Sequence, residues 1–112
     1  MAGSFVIERS KSGKFKFNLR AGNNRVILTS ELYESKAAAE NGIESVRKNS
    51  SDDGRFERKS AKDGSRYFVL KAKNGETVGK SEMYTSASAM EKGVTSVRTS
   101  AGAAKVIDRT TD

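Results

Sequence analysis

Two tetrapeptides, Ser30-Glu31-Leu32-Tyr33 and Ser81-Glu82-Met83-Tyr84, come nearest to chemistry in this chain of 112 residues. Each sets a hydroxyl, a carboxylate and a phenol within four positions. Each also runs into a segment with helix-capping character, where free backbone N–H groups can hold an anion. With histidine and cysteine both absent, the usual general base, the commonest metal ligand and all thiolate chemistry are missing. An enzyme would have to work with tyrosine, lysine and glutamate, and Glu31, Tyr33, Glu82 and Tyr84 are the repeated candidates. The packing reading of the same residues is stronger: Leu32 or Met83 and the tyrosine ring lie under the start of a helix, while Ser or Glu satisfies backbone donors there. If the two segments faced each other across a twofold axis, they would form one site.

A second constellation is basic. Lys14, Lys16 and Arg20 share one face of an alternating segment with Asn18, and the matching later segment places Ser65, Tyr67, Val69 and Lys71 on that face. Lys14, Lys16, Arg20, Tyr67 and Lys71 could hold single-stranded nucleic acid by backbone charge and base stacking. The net charge of +7 agrees with attraction to polyanions. Only one aromatic lies there, however, where stacking sheets offer two or three, so a solvated face is the plainer reading.

Other chemistries find no support. Asp52 and Asp53 lack the ligand spacing of a calcium loop, and no glycine-rich phosphate motif occurs. No cofactor, metal site or catalytic activity is expected. No apolar stretch approaches the roughly 18 residues that span a bilayer, and Met1 to Ile7 does not read as a secretory leader. The expectation is a cytoplasmic protein without a membrane role.

The elements that must position these residues are written twice. Under a shift of about 51 residues Phe5 falls on Phe56, Gly13 on Gly64, Leu19 on Leu70, Tyr33 on Tyr84 and Ser45-Val46-Arg47 on Ser96-Val97-Arg98, without a gap. Phe15, Phe17, Leu19 and Ala21 alternate with charged and polar residues, which predicts a half-buried antiparallel strand. Asp63-Gly64 and Asn74-Gly75, with Ser12-Gly13 and Asn23-Asn24, predict tight two-residue hairpins. A short third strand is expected over 25–30 and 76–81. Ser35 and Ser86 are expected to cap helices whose apolar stripes run through Ala38, Gly42, Ile43 and Val46, and through Ala89, Gly93, Val94 and Val97. A glycine on the stripe of both helices predicts a close approach to the sheet. Lys36 and Glu40 form an i,i+4 pair, residues 49–54 read as a polar linker, and residues 109–112 as a frayed tail.

Phe56-Glu57 recurs as Ile107-Asp108, the opening strand of a third unit. We therefore expect an α+β fold: two β-β-β-α units in one antiparallel sheet with two helices on one face, interlocked about a pseudo-twofold. Residues 1–112 form one domain, with repeat one at 4–54, repeat two at 55–112 and a closing strand at 104–109. A monomer is expected, since the tandem pair completes its own assembly.

The doubled S-E-x-Y-x-S with the G-[IV]-x-S-V-R helix, over almost the whole chain, resembles the YegP-like family of small bacterial proteins. The resemblance implies β-β-β-α-β repeats in a single sheet with exchanged C-terminal strands, and carries no known activity, cofactor or site residue. Arg66 departs from the pattern, standing where the first copy has the inward Phe15. The functional reading is a small basic binding or structural module with an unidentified protein partner; the alternative is nucleic-acid binding through the basic face.

Overall fold

In the computed structural model, which describes residues 3–110, positive φ occurs at Gly13, Gly64 and Gly75, and at Asn24 in the place matching Gly75. Each loop has only this one left-handed residue. The hydrogen bonds Ser10 N to Lys14 O (2.7 Å) and Gly13 N to Ser10 O (3.0 Å) enclose three residues, as do Ala21 N to Arg25 O (2.9 Å) and Asn24 N to Ala21 O (2.8 Å). These are three-residue hairpins with a left-handed third position, not the two-residue turns expected from sequence. Asn or Gly at that single position suffices.

The hairpins join β1 (Ser4–Arg9), β2 (Phe15–Arg20) and β3 (Val26–Thr29), then β4 (Phe56–Ser60), β5 (Arg66–Lys71) and β6 (Thr77–Lys80). Helix α1 (Lys36–Asn49) follows the first meander, α2 (Ala87–Ser100) follows the second, and β7 (Lys105–Asp108) comes last. A 3-10 turn, Asp53–Arg55, leads into β4, with Asp52 accepting from Gly54 N at its start. The seven strands form one sheet in the order β4-β5-β6-β3-β2-β1-β7. The meanders meet at the centre through β3 and β6, antiparallel, with Thr29 opposite Lys80.

Strand β7 makes the sheet mixed where an all-antiparallel one was expected. By the repeat it corresponds to β4, which lies antiparallel beside β5 with Phe56 opposite Leu70. The matching slot beside β2 is already held by β1, with Phe5 opposite Leu19. The returning strand therefore lies one position further out and runs parallel to β1, placing Val106 beside Phe5 and Asp108 beside Ile7. Val106 and Asp108 thus face the helices, and Ile107 the other side. The closing strand does return to the first repeat, but the pseudo-twofold stops at it.

Several contacts fix β7. Arg47 donates to the carbonyls of Ala101 and Gly102, both at 3.1 Å, and its guanidinium lies 5.1 Å from the Phe5 ring centroid. Lys36 pairs with Asp108 instead of the expected Glu40. Arg109 N donates to Ile7 O at 2.9 Å, and the buried Thr110 hydroxyl donates to Asp108 at 2.6 Å. Arg109 and Thr110 are thus bonded to the sheet rather than frayed; the rest of the expected tail, 111–112, lies outside the described residues.

Both helices share one core with one face of the sheet. Ser35 and Ser86 accept from Ala38 N and Ala89 N at 3.1 Å, as expected of caps. The buried stripes are Ala39, Gly42, Ile43, Val46 and Met90, Gly93, Val94, Val97, so each begins one residue later than the sequence suggested. Phe5 meets Phe17 edge-on at 5.9 Å, and Phe56 meets Phe68 at 5.6 Å. Arg66 is exposed without disturbing the inward Phe68 and Leu70, because its counterpart Phe15 is itself only partly buried.

What approaches the helix glycines is an aromatic side chain. A Cβ at Gly42 would strike the Tyr33 hydroxyl, with Tyr33 Cζ at 2.8 Å and Phe17 Cε2 at 2.9 Å. A Cβ at Gly93 would strike the Tyr84 hydroxyl, with Tyr84 Cζ at 2.7 Å. On an open helix Gly→Ala would stabilise by about 1 kcal/mol. Here overpacking reverses the sign: G42A and G93A should each lower unfolding free energy by about 1–3 kcal/mol in urea titrations. Adding Y33F to G42A should restore part of the loss, because it removes the atom in the way.

Asp108 gives a pH test of the closing strand. The Lys36 ammonium, then the Thr110 hydroxyl and N–H, hold its carboxyl below the ordinary 3.8, at about 2. A depressed carboxylate contributes fully above its unfolded pKa and loses that contribution as pH falls through the folded one. The stability difference between wild type and D108N should therefore shrink from pH 4 to pH 2 in urea titrations. A constant difference would show that the pair contributes nothing.

Candidate functional site

Among the described residues no helix covers the sheet face opposite the core. Alternation and register place Lys16, Asn18 and Arg20 of β2 on it, and Tyr67, Val69 and Lys71 of β5. Thr29 and Lys80 bridge them at the centre, being paired with Asn18 and Val69. Glu57 and Lys59 extend the face through β4, opposite Val69 and Tyr67, and Glu8 stands opposite Lys16 on β1. Sequence reasoning therefore found this face but missed Lys59 and Lys80. Alternation alone would not have given Lys80, because the bulge in β6 sets Val78, two residues earlier, against the core.

The five residues of the basic constellation have different surroundings. Lys14, just before β2, pairs with Glu34 at 2.8 Å. Arg20 Nε donates to Asn18 Oδ1 at 3.0 Å. Lys71 pairs with Glu57 at 3.1 Å, and Lys59 shares that carboxylate at 3.0 Å. These two ammonium groups, Lys59 first, hold the Glu57 carboxyl below its ordinary range. Tyr67 has the Lys80 ammonium 4.9 Å from its ring centroid, so one π-face is occupied. Among the described residues, Lys16, Arg20 and Lys80 have no carboxylate within 4.0 Å.

The two S-E-x-Y segments are built into the sheet. Ser30 Oγ accepts from Phe17 N at 2.9 Å and donates to Glu31 O at 2.7 Å; Ser81 Oγ does the same with Phe68 N and Glu82 O, at 2.9 and 2.8 Å. The serines thus serve strand donors, while the separate Ser35 and Ser86 serve the helices. Tyr33 exchanges two backbone hydrogen bonds with Phe15, and Tyr84 with Arg66. Tyr33 stacks on Phe17 at 6.1 Å and 11°, Tyr84 on Phe68 at 6.4 Å and 10°. The tyrosines pack as expected, but Leu32 and Met83 are 54% and 52% exposed and do not lie under the helices.

Burial pushes both phenols up, with Glu31 adding to the rise at Tyr33 and Glu82 at Tyr84. At Tyr84 the Arg25 guanidinium of the other repeat pulls in the opposite direction. The phenols are neutral near pH 7. The two segments do not form a common site: Glu82, Met83 and Tyr84 border a cleft against the β2–β3 turn of repeat one, and Ser30 to Tyr33 take no part in its wall. Glu40 is exposed, whereas its counterpart Glu91 receives two 2.9 Å hydrogen bonds from Arg58. Asp53 also binds Arg58, at 3.0 Å. Among the described residues no three carboxylates are grouped to hold a metal ion, and no helix is long and apolar enough to cross a membrane.

Comparison with known proteins agrees with this architecture. The model of the domain of unknown function DUF1508 matches twice, at residues 10–57 and 61–108. Each match thus runs from the start of one hairpin to the strand after its helix. A UPF0339 protein of Bordetella pertussis is 50% identical over 110 residues, covering 98% of each chain. The UPF0339 protein YegP of Shigella flexneri is 48% identical over 110 residues, 98% of this chain and 100% of that one. Among solved structures, the solution structure of YegP from E. coli, a protein of unknown function, superposes with a TM-score of 0.94 at 46% identity, covering 100% of this chain and 97% of that one. A UPF0339 protein of Shewanella oneidensis gives 0.92 at 44% identity, covering 98% and 93%. The chain belongs to the DUF1508 family, in the tandem-repeat, YegP-like form with one mixed seven-stranded sheet and two helices.

Proposed function

We propose that the protein is a non-catalytic binding module whose helix-free sheet face docks an acidic protein surface. One observation carries the reading: Lys16, Arg20 and Lys80 stand on an open sheet face without carboxylate partners among the described residues. A rigid sheet holds such cations at fixed spacing, which favours complementary charge and fast association. The lack of histidine and cysteine in the sequence supports a binding role over a catalytic one. The reading includes a monomer, because β1 and β7 fill the strand positions beside repeat one from within the chain.

Single-stranded nucleic acid is the second reading, favoured by Tyr67 among Lys59, Lys71 and Lys80. It is weaker because Lys80 already covers one side of the only aromatic ring on that part of the face. The two are separated by fluorescence anisotropy with labelled polyglutamate, single-stranded DNA, RNA and duplex DNA at two salt concentrations. Polyglutamate binding that persists near physiological salt and weakens at least about tenfold in K16E/R20E/K80E is the expected result. A preference for a single strand that is lost in Y67A would transfer the face to nucleic acid. Equal binding by wild type and the charge-reversed variant would remove the face from consideration.

A further inference from the structure

The cleft beside Tyr84 lies on the helix side of the sheet and is built from both repeats. Its volume is about 410 Å³, within the range of pockets that take small organic ligands. Ile27 of repeat one and Ala89 and Gly93 of α2 give it an apolar floor. Arg25 comes from the first repeat, Lys92 from the second, and neither is ion-paired among the described residues, although Glu82 also borders the cleft. Tyr84 and Ser96 complete the polar part of the lining.

Duplication supplies an internal control. Under the shift of about 51 residues Tyr84, Ser96, Ala89 and Glu82 become Tyr33, Ser45, Ala38 and Glu31, the same residue types. The two cations do not survive: Arg25 becomes Glu76, and Lys92 becomes Asn41. Neither change is needed by the fold, since both pairs occupy exposed positions of corresponding hairpin turns and helices. A solvated structural face would have no reason to gather cations at this cleft and replace them at the corresponding positions of the other repeat. We propose that the Arg25–Lys92 cleft binds a small amphipathic anion, with a carboxylate or phosphate head held by the two cations beside Tyr84, and an apolar body on Ile27 and Ala89.

The probe is 1-anilinonaphthalene-8-sulfonate, which has this chemistry, titrated by fluorescence with the site located from 1H–15N amide shifts. Wild type should bind one equivalent and shift Val26, Ile27, Tyr84 and Gly93. R25E/K92N, which installs the residues found at the matching positions of the other repeat, should bind at least about tenfold more weakly, with folding checked by circular dichroism. Displacement by octanoate or by octyl phosphate supports the proposal, and whichever is stronger names the head group. Undiminished binding by R25E/K92N, equal binding of uncharged N-phenyl-1-naphthylamine, or shifts confined to other surfaces would overturn it.

Discussion

Helix, loop and sheet are held in place in each repeat by a tyrosine ring between a phenylalanine and a glycine. Tyr33 lies on Phe17 and ends against Gly42; Tyr84 lies on Phe68 and ends against Gly93. The ring fixes how far the helix stands from the sheet, because the hydroxyl occupies the volume a helix side chain would need. The backbone of the same tyrosine is bonded to the start of β2 or β5, and Ser30 or Ser81 ties the preceding residues to Phe17 or Phe68. Stacked aromatic pairs contribute about 0.5–1.5 kcal/mol beyond area burial, yet their geometric effect is larger. They convert a four-residue motif into the hinge point of the whole unit, which is why the motif recurs when surface residues around it have changed.

The second organising constraint is competition for one place in the sheet. Three strands are descended from the same segment of the repeat, but each repeat offers one slot beside its second strand. Strand β4 takes the slot at β5 and β1 the slot at β2, leaving β7 the free edge of β1. Parallel pairing there follows from chain direction, since β7 must leave α2 as β4 leaves α1. An edge position gives β7 fewer sheet bonds, and side chains make up the difference: Arg47 to the preceding carbonyls, Lys36 to Asp108. These residues read in the sequence as ordinary helix-surface charges. Their role depends on the slot that β7 occupies, a fact no local pattern contains.

That contrast marks how far the sequence is legible. Strand alternation, the serine caps, the duplication and the inward Phe17 and Phe68 follow from local periodicity, and local periodicity survives folding. The parallel β1–β7 pair, the exposure of Leu32 and Met83, and the Lys36–Asp108 pairing are set by which segments meet, so they could not be read from spacing. The turn geometry failed for a narrower reason: Asn-Gly is compatible with both two- and three-residue hairpins, and the one hydrogen bond that distinguishes them involves the residue after the turn. Of the site, the basic face was visible because alternation fixed its side of the sheet. The cleft was not, because Arg25 and Lys92 are 67 positions apart and meet only where one repeat packs across the other.

A duplicated chain separates what a fold requires from what a function requires, provided the two copies are compared position by position. Residues kept in both copies at buried places, such as Gly42 and Gly93 or Val46 and Val97, are accounted for by packing. Residues kept in both at exposed places, such as Glu31 and Glu82, are compatible with either cause. The informative class is the third: positions outside the core that differ in charge between the copies. Arg25 against Glu76 and Lys92 against Asn41 belong to it. So does Lys16 against Tyr67, two residues that occupy corresponding places on the open face of β2 and β5. Each pair sits on a surface that the fold leaves free, one on either side of the sheet. The fold tolerates both residues of each pair, so packing cannot have chosen between them, and a ligand or partner that meets only one copy can.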